Sequence, residues 1–279
     1  MRSVEIIIAT HKNYDFPKEK SYLPLQVGAA NTENDLGIEK DNTYDNISSK
    51  NPYFCELTGL YWAWKNVNAD YVGLVHYRRH FTLRSGKIKQ AERLKSALSD
   101  IEITDLIGDY DLILPKKRNY YIETLYSHYE HTLFVAPLLK TREIIEKLYP
   151  EYLEEFDRLK VRKSAHMFNM LIAKKEILND YCSWLFNILF TLEEEIKEDP
   201  EFVADYDQFH ARFYGRISEL LFDVWLYTKY PSLRNSELSD DEIRVKELRV
   251  IDIENVNWLK KGTSFLLAKY GKKKYGKSF

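Results

Sequence analysis

The densest group of chemically capable side chains in this 279-residue chain is His76-Tyr77-Arg78-Arg79-His80, which follows the apolar run 71–75 without a break. Adjacent guanidiniums make bidentate, charge-assisted hydrogen bonds to phosphate. An imidazole beside them bonds a phosphate or a hydroxyl, and a phenol ring stacks. A short apolar run reads as a buried strand, and ligands of open α/β sheets bind at the carboxyl ends of their strands. Composition alone favours a solvated basic turn.

The elements that would position this group follow from periodicity. Apolar runs at 4–10, 71–76, 111–114 and 248–253, and a weaker one at 170–173, read as strands separated by helical patterns, the alternation of an α/β fold with a Rossmann-type mixed sheet. Asn51-Pro52 marks a helix start, with Tyr53, Leu57, Leu60, Tyr61 and Trp64 as one apolar face running toward the strand at 71–76. The second half is largely helical, with patterns at 138–149, 151–159, 174–197 and about 202–229. In the last of these Ile217, Leu220, Leu221, Val224 and Tyr227 share a face, leaving Arg212, Arg216, Glu219 and Asp223 on another. Segment 84–100 reads as a charged insertion, a candidate mobile flap. The expected organisation is one domain over 1–255, with a ligand-binding half to about 137 and a helical half from about 138, followed by a tail over 256–279.

A net charge of −2 argues against a nucleic-acid reader. Cys55 and Cys182 form no CxxC motif and sit near no histidine cluster, so neither a disulfide framework nor a zinc site is expected. No stretch of eighteen apolar residues occurs, and the first run is too short for a secretory core, so the protein is expected to be cytoplasmic. The 21 tyrosines and 5 tryptophans suit stacking on sugars or bases as well as an aromatic core. From Trp258 onward the chain holds seven lysines among aromatics and no acidic residue. That tail suits the anionic inner face of a membrane, or a solvated basic end.

The run N-I-S-S-K-N-P-Y-F-C-E-L-T-G-L-Y-W-A-W-K-N at 46–66, followed by D-Y-V-G-L-V-H-Y-R-R-H-F at 70–81, resembles a family of bacterial capsular and exopolysaccharide glycosyltransferases long catalogued as a domain of unknown function. The likeness continues through T-H-K at 10–12, L-P-L-Q-V-G at 23–28, Y-D-L-I-L-P at 110–115, H-M-F-N-M at 166–170 and R-I-S-E at 216–219, about the first 230 residues. The resemblance implies a GT-A-like fold and transfer of a sugar from a UDP-sugar donor to a lipid-linked oligosaccharide. In some members that sugar is galactofuranose. Members often carry an extra arginine near the late R-x-S-E stretch that this chain lacks, which leaves the role of Arg216 open.

On that reading Thr10, His11, Lys12, Gly28, Glu56, His76, Tyr77, Arg78 and Arg79 bind the donor. GT-A enzymes commonly hold a divalent metal on paired carboxylates at a strand end. No acidic residue follows 71–76, so the arginines are expected to neutralise the leaving diphosphate. A Mn or Mg ion, held by Asp109 or Asp111, is the less favoured alternative. Glu219 is the candidate general base, with Asp207 and Asp205 behind it; Arg216, three residues before Glu219, is its partner in catalysis or in an exposed ion pair. His128, His131, His166 and Asn169 are candidates for the acceptor cleft, each also readable as an ordinary surface or core residue. Glu56 can equally pair with Lys65, while Trp62 and Trp64 read as core. Two other classes compete. One is a non-catalytic peripheral membrane protein that binds glycolipid or assembles polysaccharide; the other, a nucleotide phosphotransferase, is weakened by the missing P-loop.

Overall fold

In the computed structural model, which describes residues 2–199, 202, 206–235 and 243–255, the first apolar run forms β1 (Val4–Thr10), fully buried from Ile6 onward. A strand that buries both faces must lie inside a sheet covered on both sides. β2 (Tyr22–Gln26) and β3 (Glu39–Lys40) add outward from it. α1 (Asn51–Phe54) and α2 (Leu57–Asn66) then lead into β4 (Tyr71–His76), which returns through a tight turn as β5 (Arg79–Thr82). After α3 (Gln90–Arg93) and α4 (Asp100–Asp109) come β6 (Leu112–Pro115) and β7 (Arg118–Asn119). α5 (Leu125–Thr132), α6 (Ala136–Leu148) and α7 (Leu153–Asp157) precede β8 (Ser164–Ala165) and β9 (Leu171–Lys174). Two long helices, α8 (Lys175–Lys197) and α9 (Phe213–Lys229), come before β10 (Val245–Asp252).

The fold is mixed α/β with a largely helical second half, as the periodicity predicts. β3, β2, β1 and β4 run parallel. β9 lies antiparallel to both β4 and β6, so β6 points the same way as β4, and β10 runs parallel to β6. β5 is antiparallel to β10 and meets β4 only at His76 and Arg79. The pairings β4–β9–β6–β10–β5 therefore close back on β4, and the carboxyl ends of β1, β2, β4, β6 and β10 share one edge with the beginnings of β5 and β9. Gly73 permits the tightest of these contacts: a Cβ there would lie 2.9 Å from the Ile172 Cγ1 and 3.1 Å from the Leu171 carbonyl oxygen.

Two helical expectations need correction. The single helix from Asn51 is broken, because Cys55 takes φ 54° and separates α1 from α2. The break rotates the buried face to Phe54, Leu57, Leu60, Trp62 and Ala63, leaving Tyr53 exposed and Tyr61 and Trp64 half-buried. The helix expected from about 202 begins instead at Phe213, after a 3-10 turn over His210–Arg212. From Phe213 to Tyr227 only Arg216 escapes burial, so Glu219 and Asp223 point into the molecule rather than to solvent. Segment 84–100 is anchored as well: Arg93 donates to the carbonyls of Asp252 (3.2 Å) and Glu254 (2.9 Å), Leu98 is buried, and Ser99 and Glu102 form a capping box at the start of α4. Asp205 and the tail over 256–279 lie outside the described residues.

Candidate functional site

The shared carboxyl edge gathers the motif residues of three strands. The Thr10 hydroxyl donates to the Lys12 carbonyl (2.7 Å) and accepts the Lys12 N–H (3.3 Å), folding a turn that presents His11 and Lys12. The His11 and Tyr14 rings meet Tyr77 edge-on at 5.3 and 5.1 Å, and the Lys12 ammonium lies 5.0 Å from the Tyr77 centroid. Burial lowers the His11 pKa, helped by the positive charges of Lys12, Arg212 and Arg78. His76 is neutral for a similar reason: burial, reinforced by Arg79, pushes its pKa down to about 4. Its Nε2 must then carry the proton it donates to the Phe168 carbonyl at 2.6 Å.

The two arginines differ. Arg79 bonds Asp252 through Nε at 3.1 Å and packs its guanidinium 4.6 Å from the Phe168 centroid. Asp252 is its cross-strand partner on β10. Arg78 is looser, 4.0 Å from Glu254 and 30% exposed. Asp252 and Glu254 form an acidic pair two residues apart at a strand end, and each answers a guanidinium rather than converging on an ion. Among the described residues no group of three or more His, Cys, Asp or Glu side chains could hold a metal. Asp111 sits at the opposite edge of the sheet, where β6 begins, bonded to Lys174 at 2.7 Å and to Arg244.

Opposite the arginines stand two carboxylates, fixed by the turn before β9. Phe168 and Asn169 both adopt left-handed backbone (φ 80° and 52°), a costly conformation for two successive residues with side chains. The turn is tied at each point. The Phe168 N–H donates to Glu219 Oε1 (3.1 Å), and Asn169 Nδ2 donates to Glu56 Oε1 (2.8 Å) and to the Gly215 carbonyl (3.2 Å). Asn169 Oδ1 accepts the Ser218 hydroxyl at 2.8 Å. Asn169 thus joins α9 to the start of α2, and Glu56 pairs with it rather than with Lys65, whose ammonium lies 3.7 Å from the Trp64 centroid. Glu219 is buried, 3.6 Å from the part-exposed Arg216. Burial raises its pKa and the Glu56 charge raises it further, against the pull of Arg216, Arg118 and Arg79.

Residues 5–230 match the family described as Domain of unknown function (DUF4422). This chain belongs to the DUF4422 family. Among solved structures, the DUF4422 chain is similar to the WbbM bifunctional glycosyltransferase in its apo form, with a TM-score of 0.78 and 33% sequence identity over 91% of this chain. It spans 46% of that protein, less than half its length. No curated protein matches it.

Other expected site residues of the DUF4422 chain lie apart from this cluster or serve to hold it. Gly28 (φ 70°) has no room for a Cβ, which would fall 2.5 Å from the Asn51 Oδ1. Its N–H and that of Ala29 donate to Asp41, which is fully buried and also receives the Ser48 and Thr58 hydroxyls. His166 is buried with both ring nitrogens committed, one to Asp223 and one to Glu247 (2.9 Å); those carboxylates overcome desolvation and raise its pKa. It has no nitrogen left for an acceptor sugar. Asp207 is exposed and caps the 3-10 turn through His210 (2.9 Å), with no contact to Glu219. His128 and His131 each bond one oxygen of buried Glu123, at 2.8 and 2.7 Å. Burial lowers the His128 pKa against the pull of Glu123, and the positive charges of Arg118 and Arg216 lower it further.

Asp41, Asp252, Glu254, Phe168, Arg118 and Ser218 escaped the sequence reading. A signal existed for three of them. Asp252-Ile253-Glu254 closes an apolar run as an acidic pair, and Arg118 ends a basic triplet just past Pro115. Nothing in the sequence marks Phe168 as left-handed.

Proposed function

We propose that this chain is a glycosyltransferase that binds a UDP-sugar at the carboxyl edge of β1 and β4. It would pass the sugar, a hexose such as galactofuranose, to a lipid-linked oligosaccharide in capsule, exopolysaccharide or O-antigen synthesis. The observation that carries this reading is that the Arg79 guanidinium and the buried, proton-attracting carboxylate of Glu219 meet at one residue, Phe168, with Arg78 next in the chain. The likeness to the WbbM glycosyltransferase supports it.

Arg78 and Lys12 would meet the diphosphate, and Arg79, held by Asp252, would supply fixed positive charge behind them. As the acceptor oxygen bonds the anomeric carbon, the bond from that carbon to the diphosphate breaks and UDP departs with the electron pair. Preorganised guanidiniums stabilise that developing charge. The acceptor hydroxyl proton passes to Glu219, whose raised pKa suits a general base. Neutral His76 fixes the Phe168 carbonyl and so the turn that orients Glu219.

The test is thermal stabilisation by UDP together with hydrolysis and transfer from a panel of UDP-, GDP- and dTDP-sugars. A ligand at 100 times its Kd adds about 2.7 kcal/mol, and a shift of several degrees is expected with UDP. Arg78→Ala, which breaks only a 4.0 Å ion pair, should abolish the shift while leaving the unliganded Tm within about 2 °C. Chelator should leave transfer undiminished. Absence of a shift with every nucleoside diphosphate sinks the proposal, and a non-catalytic glycolipid-binding protein would then be the better description.

A further inference from the structure

β7 and β8 form a separate two-stranded ribbon, with Arg118 opposite Ala165 and Asn119 opposite Ser164. Its pairing continues through the Tyr120 N–H to the Lys163 carbonyl (2.8 Å) and the Leu125 N–H to the Arg162 carbonyl (2.8 Å), so the outer end is held rigidly. At that end three apolar side chains face solvent: Tyr121 is 77% exposed, Ile122 52% and Val161 69%. Tyr121 is left-handed (φ 54°), and the Asn119 side chain accepts its N–H at 2.7 Å. The local structure therefore turns Tyr121 outward rather than leaving it there by default.

The chain segments that meet at this tip are rich in cations. Residues 116–122 and 158–163 contain seven lysines and arginines and no acidic residue. Arg158, Lys160, Arg162 and Lys117 answer carboxylates elsewhere. Lys116, Arg118 and Lys163 are exposed and have no carboxylate within ion-pair distance among the described residues. Exposed aromatic and aliphatic side chains beside cations match the interface of an anionic bilayer, where phenol rings sit at headgroup depth and ammoniums meet phosphates. The ribbon also leads directly, through residues 166 and 167, into the Phe168–Asn169 turn that carries the cleft.

We infer that the outer end of the β7–β8 ribbon, where Tyr121, Ile122 and Val161 are exposed beside Lys163, docks on an anionic phospholipid surface, with the exposed cations Arg118 and, nearer the sheet, Lys116 further along the ribbon. This deepens the reading of a lipid-borne acceptor, because docking there would set the cleft close to the headgroups. Binding to vesicles nevertheless requires neither donor nor turnover, so it can fail or succeed independently of the proposed activity.

The test uses the full chain carrying Tyr121→Cys labelled with an environment-sensitive fluorophore. Native thiols interfere little, since Cys182 is buried and burial pushes the Cys55 thiol up to about 12. With vesicles of phosphatidylcholine containing 30 mol% phosphatidylglycerol, the label at 121 should shift to the blue. A label at Tyr44→Cys, beside edge strand β3, should not. Lys116→Glu with Lys163→Glu should weaken partitioning about tenfold or more, while UDP stabilisation is retained. Four results would overturn the inference: no vesicle binding, equal binding to pure phosphatidylcholine, vesicle binding with the label at 121 still in water, or a blue shift that grows with protein concentration without vesicles. The third would assign the contact to another part of the chain, and the fourth to a second copy of it.

Discussion

Glu219 carries the proposed chemistry only because of what surrounds it. On an exposed helix face its link to Arg216, three residues away, would be an ordinary surface ion pair worth little. Buried beside Glu56, it is a carboxylate that holds a proton more tightly than one in water. The sign of the Glu56 effect gives a test. Removing that negative charge in Glu56→Gln lowers the cost of ionising Glu219, so the acid limb of kcat should move to lower pH. Glu219→Gln should reduce kcat by 100-fold or more with little change in UDP stabilisation. An acid limb that stays in place in Glu56→Gln would remove Glu219 as the titrating base. The same logic separates the arginines: Arg79, committed to Asp252 and Phe168, is a positioning cation, while Arg78 has the freedom to close on a ligand.

The elements matter through the turns that end them. Cys55 breaks the helix so that Glu56 faces Asn169, and the left-handed pair Phe168–Asn169 turns the Asn169 amide toward Glu56 and the Phe168 N–H toward Glu219. Removing the amide in Asn169→Ala leaves the Gly215 carbonyl and the Ser218 hydroxyl without these partners, a loss of about 2–3 kcal/mol, with reduced transfer beyond what the stability change explains. The loop after β2 depends on Asp41 in the same manner. Four donors point at one fully buried carboxylate, so Asp41→Ala should cost about 3 kcal/mol or more, read as a shifted denaturant midpoint. A loss below about 0.5 kcal/mol would show that this loop is held by something else. Neither turn was legible as a pattern: the residues stand in the quoted motifs, but a positive φ at Phe168 or Cys55 leaves no mark in residue type. The strands were legible because a run such as 71–76 is buried on both faces. β2 was harder to see, with Pro24 inside it and Leu23 and Pro24 only half-buried.

At the scale of the whole molecule, buried titratable groups set the response to acid. His76 and His80 have folded pKa values pushed down to about 4 by burial, below the ordinary 6.5. A depressed value means that the unfolded chain binds more protons between 6.5 and 4. Their stabilising contribution is therefore complete above about 6.5 and is lost as pH falls toward 4, by about 3 kcal/mol for each. Glu219, with a raised pKa, works in the opposite sense over part of that window. His166, also raised, is stabilising at low pH and loses that contribution only as pH rises through its folded value. Two histidines outweigh one carboxylate, so the urea midpoint should fall steadily from pH 6.5 to 4.5, with a shallower fall in His80→Leu. A flat midpoint over that range would contradict these buried neutral imidazoles.

The sequence by itself determined the alternation of strands and helices, the place of His76-Tyr77-Arg78-Arg79 at the end of a buried strand, and membership of a recognisable family. Those properties are local, because periodicity and strand ends are written in consecutive residues. Only the tertiary structure decided that α9 is a central buried helix whose carboxylates Glu219 and Asp223 point inward, and that Asp252 and Glu254 return 173 and 176 positions after Arg79 and Arg78 to hold them. It alone also showed that His166 is walled in between two carboxylates. Such facts depend on which distant segments share an edge of the sheet. The closing of β10 against β5 and β6 sets that, and no spacing along the chain records it.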